Sequence, residues 1–227
     1  MSCNALDSSR ADEPVAARAR GETRPANVHW HATSVSNEAR ATLFRYAPLT
    51  FWLTGLSGAG KSTIAYELEQ RLIGERQPCA VLDGDNLRHG LNRDLGFSER
   101  DRRENMRRAA EAARLMNDAG LIVVASLVSP FREDRAAVKD IIGEARFVEV
   151  YVNTPLTVCE SRDPKGLYLK ARRGDIEGFT GVSSPYEPPL APALTVDTAS
   201  MPRGGAAAHL YAYLTERSQG RDHDGGR

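Results

Sequence analysis

The run FWLTGLSGAGKST, residues 51–63, constrains this chain more than any other stretch: an apolar segment passes directly into three glycines, a lysine and two hydroxyls. Such a run fits a buried strand, a tight loop and a helix whose first N–H groups face the loop. Gly55, Gly60, Lys61 and Ser62 match G-x-x-x-x-G-K-[ST], and Gly58 adds a further permissive position. Glycines let successive N–H groups converge on phosphate oxygens, the helix start adds its positive end, and the lysine reaches the β- and γ-phosphates. The residues expected on a nucleotide are therefore Gly55, Ser57, Gly58, Ala59, Gly60, Lys61, Ser62 and Thr63, with the Ser62 hydroxyl on Mg²⁺. The alternative is a chance glycine turn, which the strand-to-helix context opposes. By itself the loop implies a nucleoside triphosphate and does not separate a kinase from a GTPase or a mechanical ATPase.

The rest of the chain repeats the alternation. TFWLTG (50–55), CAVLDGD (79–85), LIVVASLV (121–128), FVEVYVN (147–153) and ALTVDT (193–198) read as strands. Between them, KSTIAYELEQRLIG closed by Gly74, a helix from about Ser98 to Ala119, REDRAAVKDIIGEA and AAAHLYAYLTER read as helices. Ser98 and Asp101 have capping-box spacing, and Gly120 ends that helix. Apolar runs that do not alternate imply strands covered on both faces. The expected fold is α/β, three-layer, with a doubly wound parallel sheet. Residues 163–192, rich in Lys, Arg, Gly and Pro, break the pattern and read as a mobile lid.

With 227 residues, one catalytic domain near residues 28–217 is expected, between a disordered tail over 1–27 and a flexible tail over 218–227. Lys plus Arg equals Asp plus Glu at 30 each, so no global field favours nucleic acid, and a charged ligand must be held locally. Cys3, Cys79 and Cys159 lie far apart with neither CxxC spacing nor an even count, which argues against a zinc site or a disulfide scaffold and suits a reducing cytoplasm. The N-terminus lacks the apolar core of a secretory signal, and no run approaches the roughly 20 apolar residues of a membrane span.

Asp83 and Asp85 end the second strand at the sheet edge where open α/β folds bind ligands. Beside a triphosphate, two carboxylates either hold Mg²⁺ through water or take a proton from an attacking hydroxyl. The competing reading is a turn in which they bond backbone around Gly84. With no Asn-Lys-x-Asp segment to read a guanine, a small-molecule kinase is favoured.

Taken with GLSGAGKST, the segments LDGDNLRHGLNRDLGFSERDRREN, SPFREDR and CESRDPKGLYLKARRGDIEGFTG closely resemble the adenylylsulfate kinase (APS kinase) family, from about residue 27 to 198. The resemblance implies transfer of the γ-phosphate of ATP to the 3′-hydroxyl of adenylylsulfate, an Mg²⁺ requirement and a homodimer. It further implies that Arg88, Arg102 and Asn105 hold adenylylsulfate, that Phe97 and Phe179 stack on its adenine, and that Lys165, Lys170, Arg172 and Arg173 bring charge to the phosphates. A guanidinium fork suits phosphosulfate oxygens, and an aromatic face grips a base without needing hydrogen bonds. For Phe97 the competing reading is a core residue. Ser129 corresponds to a serine phosphorylated in some members; a hydroxyl that closes a turn before Pro130 is the favoured reading.

The chain departs from the family pattern at ARATLFRYAP (39–48), at Leu169, where a second lysine is common, and at Ser183, where aspartate is common. Rival readings are another small phosphate-loop kinase, acting on a nucleoside monophosphate, gluconate or shikimate, and an inactive homologue serving a partner such as a separate ATP sulfurylase. On the helix after Ser98, Met106, Ala109, Ala113 and Met116 form an apolar stripe that Arg102 and Asn105 continue, while Arg103 is expected to point into water.

Overall fold

A computed structural model describes residues 27–29, 31, 34–44 and 46–222. The tail expected over 1–27, with Cys3, falls almost wholly outside the described residues. Five strands, β1 Thr50–Thr54, β2 Cys79–Asp83, β3 Ile122–Ser126, β4 Phe147–Val152 and β5 Leu194–Val196, form one sheet in the order β2-β3-β1-β4-β5. Every pairing is parallel. β1 is central, with Thr50 opposite both Val123 and Phe147. The chain builds one side of the sheet through β2 and β3, then crosses β1 to build the other, so the winding reverses beside β1. In such sheets that reversal opens a crevice at the carboxyl ends of the strands.

The described helices are α1 Asn37–Phe44, α2 Lys61–Gly74, α3 Gly84–Leu87, α4 Glu99–Asp118, α5 Arg132–Ile142, α6 Leu156–Arg162, α7 Leu167–Arg172 and α8 Gly205–Asp222. Successive β1 side chains feed two cores. Phe51 and Leu53 pack with Ile64 and Leu68 of α2 and Leu210 and Leu214 of α8, while Trp52 packs with Met106, Ala109 and Ala113 of α4 and Val138 and Ile141 of α5. Both faces being covered is why β1 and β3 are apolar at consecutive positions. β4 departs from that expectation. On it Val148, Val150 and Val152 are buried, while Glu149 pairs with Arg135 at 2.7 Å and Tyr151 stacks on Tyr186 with ring centres 6.0 Å apart.

The apolar stripe of α4 is as expected, with Met116 against the same core and Asn105 buried at its upper end. Only half of the capping box forms: the Ser98 hydroxyl accepts from Asp101 N, but the Asp101 carboxylate accepts from Gly96 N. α2 is not closed by a left-handed Gly74. Arg76 takes that conformation at φ 58°, and Gln77 N reaches back to Leu72 O at 2.8 Å. α8 runs to Asp222, past the expected end at residue 217. Cys79 and Cys159 are free thiols. Among the described residues no helix is long and apolar enough to cross a membrane.

Candidate active site

The loop between β1 and α2 packs so closely that only glycine fits at its bend. Gly58 has φ 73°, and a Cβ there would come within 2.9 Å of the Cys159 carbonyl oxygen. Lys61, 8% exposed, folds over the loop and donates to Gly55 O at 2.9 Å and Leu56 O at 2.7 Å. Burial lowers its ammonium to about 8. The loop is braced from outside as well: Thr154 and Thr198 hydroxyls donate to Ala59 O, and Arg162 donates to the Thr198 hydroxyl and carbonyl.

At the end of β2 the two carboxylate oxygens of Asp83 have different partners. Oδ1 accepts from Asp85 N at 3.0 Å and Asn86 N at 3.3 Å and so caps α3. Oδ2 accepts from the Ser62 hydroxyl at 2.7 Å, with the Ser126 hydroxyl 3.2 Å from Ser62. A hydroxyl and a carboxylate oxygen side by side at the phosphate loop are hard donors, suited to Mg²⁺ that keeps water and phosphate as its other ligands. Asp85 is exposed and ion-paired with Lys165 of the 163–192 segment.

The third wall is the loop entering α4. Phe97 is 68% exposed, so it is no core residue; the Arg88 guanidinium lies 4.3 Å above its ring while donating to Leu95 O and Gly96 O. Arg102 donates to Phe97 O, Thr180 Oγ1 and Gly178 O, which ties α4 to the FTG turn at 179–181. The side-chain oxygen of buried Asn105 accepts from Asn92. Burial lowers the pKa of both guanidiniums, and the positive charge of Arg88 adds to the effect on Arg102. Two cations so placed invite an anion between them.

Phe179 faces the same crevice, its ring edge-on to Tyr168 at 5.0 Å. The crevice holds about 1470 Å³ and brings together Lys61, Ser62, Asp83, Asp85, Arg88, Phe97, Arg102, Asn105, Lys165 and Phe179. Lys170, Arg172 and Arg173 do not line it, and Arg172 pairs with Glu160 instead. Ser183 still shapes the FTG turn, its hydroxyl accepting from Phe179 N. Ser129 is 3% exposed with φ 40°; its hydroxyl accepts from the Trp52 indole N–H at 3.1 Å. Arg103 leaves α4 on a different face from Arg102 and is exposed, as expected, but its Nε also donates to the buried Asp134 carboxylate of α5 at 2.9 Å. Sequence reasoning missed Arg162, Tyr168, Ser126, Thr154 and Thr198. For Ser126 and Thr198, at or just past the carboxyl ends of β3 and β5, the edge rule that picked Asp83 would have served.

A family model described as adenylylsulphate kinase matches residues 47–197. A probable adenylyl-sulfate kinase of Halalkalibacterium halodurans is 50% identical over 201 residues, covering 88% of this chain and 100% of the relative. An adenylyl-sulfate kinase of Shewanella sp. (strain ANA-3) is 53% identical over 189 residues, covering 83% and 92%. Among solved structures, the Mycobacterium tuberculosis APS kinase CysC in complex with AMPPNP and APS superposes with TM-score 0.72 at 45% identity, covering 75% of this chain and 99% of that one.

Proposed function

The chain belongs to the adenylylsulfate kinase family, and from that premise we propose that it transfers the γ-phosphate of ATP to the 3′-hydroxyl of adenylylsulfate, giving 3′-phosphoadenylylsulfate. One observation carries the reading: the phosphate loop, Asp83, Asp85, Arg88, Phe97, Arg102 and Asn105 all line one crevice. Loop N–H groups and Lys61 hold the triphosphate. Ser62 and Asp83 would hold Mg²⁺, whose chemistry there would be to offset charge on the transferring phosphoryl group. Asp85, at the mouth of the crevice, takes the proton of the 3′-hydroxyl, and Lys165 exchanges Asp85 for a phosphate oxygen as substrates enter. Phe97 and Phe179 clasp the adenine of adenylylsulfate, while Arg88, Arg102 and Asn105 face its phosphosulfate. Ser129 is a turn residue, its hydroxyl committed to Trp52. A homodimer, a cytoplasmic location and association with a separate ATP sulfurylase belong to the same reading.

The test is turnover by the purified chain with ATP, Mg²⁺ and either adenylylsulfate, gluconate, shikimate or a nucleoside monophosphate. Formation of 3′-phosphoadenylylsulfate alone is expected. Phosphorylation of another acceptor in preference, or no transfer by a folded chain, would overturn the reading.

A further inference from the structure

Tyr168 lies behind the crevice and lines no part of it, yet it touches both halves. It is 3% exposed on α7. Its hydroxyl donates to the Ser57 carbonyl of the phosphate loop at 2.9 Å, and its ring meets Phe179 at 5.0 Å with the planes 80° apart. Burial pushes the phenol pKa up, so the hydroxyl remains a donor across the working range. A second contact runs parallel. The Leu56 side chain packs beneath Gly181, where an added Cβ would come within 3.0 Å of it. From the far side Arg102 holds the same turn through Thr180 and Gly178. The FTG turn is thus fastened to the donor loop by Tyr168 and Leu56 and to the acceptor helix by Arg102.

We infer that Tyr168 is a positioning residue that couples the donor and acceptor sites, seating the Phe179 ring when the phosphate loop is set by the triphosphate. The inference rests on the functional reading above. A turn that settles into one position when its neighbour does lowers the cost of ordering it for the second ligand. Linkage then requires each ligand to change the affinity of the other by the same factor.

Calorimetric titration tests this without turnover. The affinity of AMPPNP is measured alone and with saturating adenylylsulfate, in the wild-type chain and in Tyr168→Phe, which keeps the ring and removes the hydroxyl. The wild-type ratio is expected to depart from one by about fivefold or more. In Tyr168→Phe it should fall close to one, with the melting temperature within about 2 °C of wild type. Leu56→Ala, which leaves every hydrogen bond of Tyr168 in place, should also shrink the ratio and serves if Tyr168→Phe does not fold. A wild-type ratio of one, or an unchanged ratio in the variants, would overturn the coupling while leaving the functional reading intact. Failure of the wild-type chain to bind adenylylsulfate would overturn both.

Discussion

Asp83 offers the sharpest separation of fold from function, because its two oxygens have different partners. Asp83→Ala removes the cap on α3, worth about 1 kcal/mol within a range of roughly 0.5–2. It also removes the Ser62 partner, although Ser62 keeps the Ser126 hydroxyl within reach. A total of about 1–2 kcal/mol corresponds to a melting temperature lower by about 2–8 °C at this chain length. Asp83→Asn can keep an oxygen on Asp85 N and Asn86 N and turn its amide toward the two serine hydroxyls, so its melting temperature should stay within about 2 °C of wild type. What it loses is the negative charge. An aspartate that steadies Mg²⁺ through water or through Ser62 is expected to cost about 10–100-fold in metal affinity when neutralised. The assay pairs thermal melting by circular dichroism with initial rates across an Mg²⁺ titration. Wild-type Mg²⁺ dependence in Asp83→Asn would refute the metal role. A melting temperature in Asp83→Asn as low as in Asp83→Ala would refute the division of labour between the oxygens.

Four further outcomes are expected. Arg102→Ala should raise the KM for adenylylsulfate by about 10–150-fold, equivalent to about 1.5–3 kcal/mol for a charged hydrogen bond, with little change in the Kd of AMPPNP alone; Arg103→Ala should leave both unchanged but lower the melting temperature, since Asp134 loses its cation. Asp85→Asn should lower kcat far more than it weakens adenylylsulfate binding, and an unchanged kcat in steady-state kinetics would return Asp85 to a turn role. Ser129→Ala should remain active yet be less stable by about 1–3 kcal/mol in urea unfolding, because the buried Trp52 indole N–H loses its acceptor. Lys61 titrates at about 8 in the folded chain against 10.5 for a free lysine. Between those values the unfolded chain binds more protons, so the penalty of burying this ammonium is relieved and stability rises with pH. Triphosphate favours the ammonium form, so AMPPNP affinity should fall as pH rises above about 8; a flat profile from pH 7 to 9.5 would contradict that.

The parts legible in the sequence were those that one local rule fixes. A strand that ends in G-x-x-x-x-G-K-S admits few alternatives, and period-3.6 spacing placed Met106, Ala109 and Ala113 correctly. What escaped was whatever depends on a distant partner. Nothing near Arg103 announces that Asp134 of α5 comes within 2.9 Å. β4 reads as apolar throughout, yet Glu149 is tolerated because Arg135 reaches across from α5. Nothing in the sequence around Tyr168 marks its role, since its partners, Ser57 and Phe179, meet it only once the chain has folded.

The central place of β1 also bears on how this chain leaves the ribosome. TFWLT is fully buried in the finished sheet, but its partners begin only at Val123 and Phe147. At about 5–20 residues per second, the second partner follows roughly 5–20 s behind. Over that interval a short apolar segment with free N–H and C=O groups is exposed beside the nascent chain, which is the description of an aggregation-prone stretch. A holding chaperone present during synthesis is therefore expected to raise the yield of folded chain.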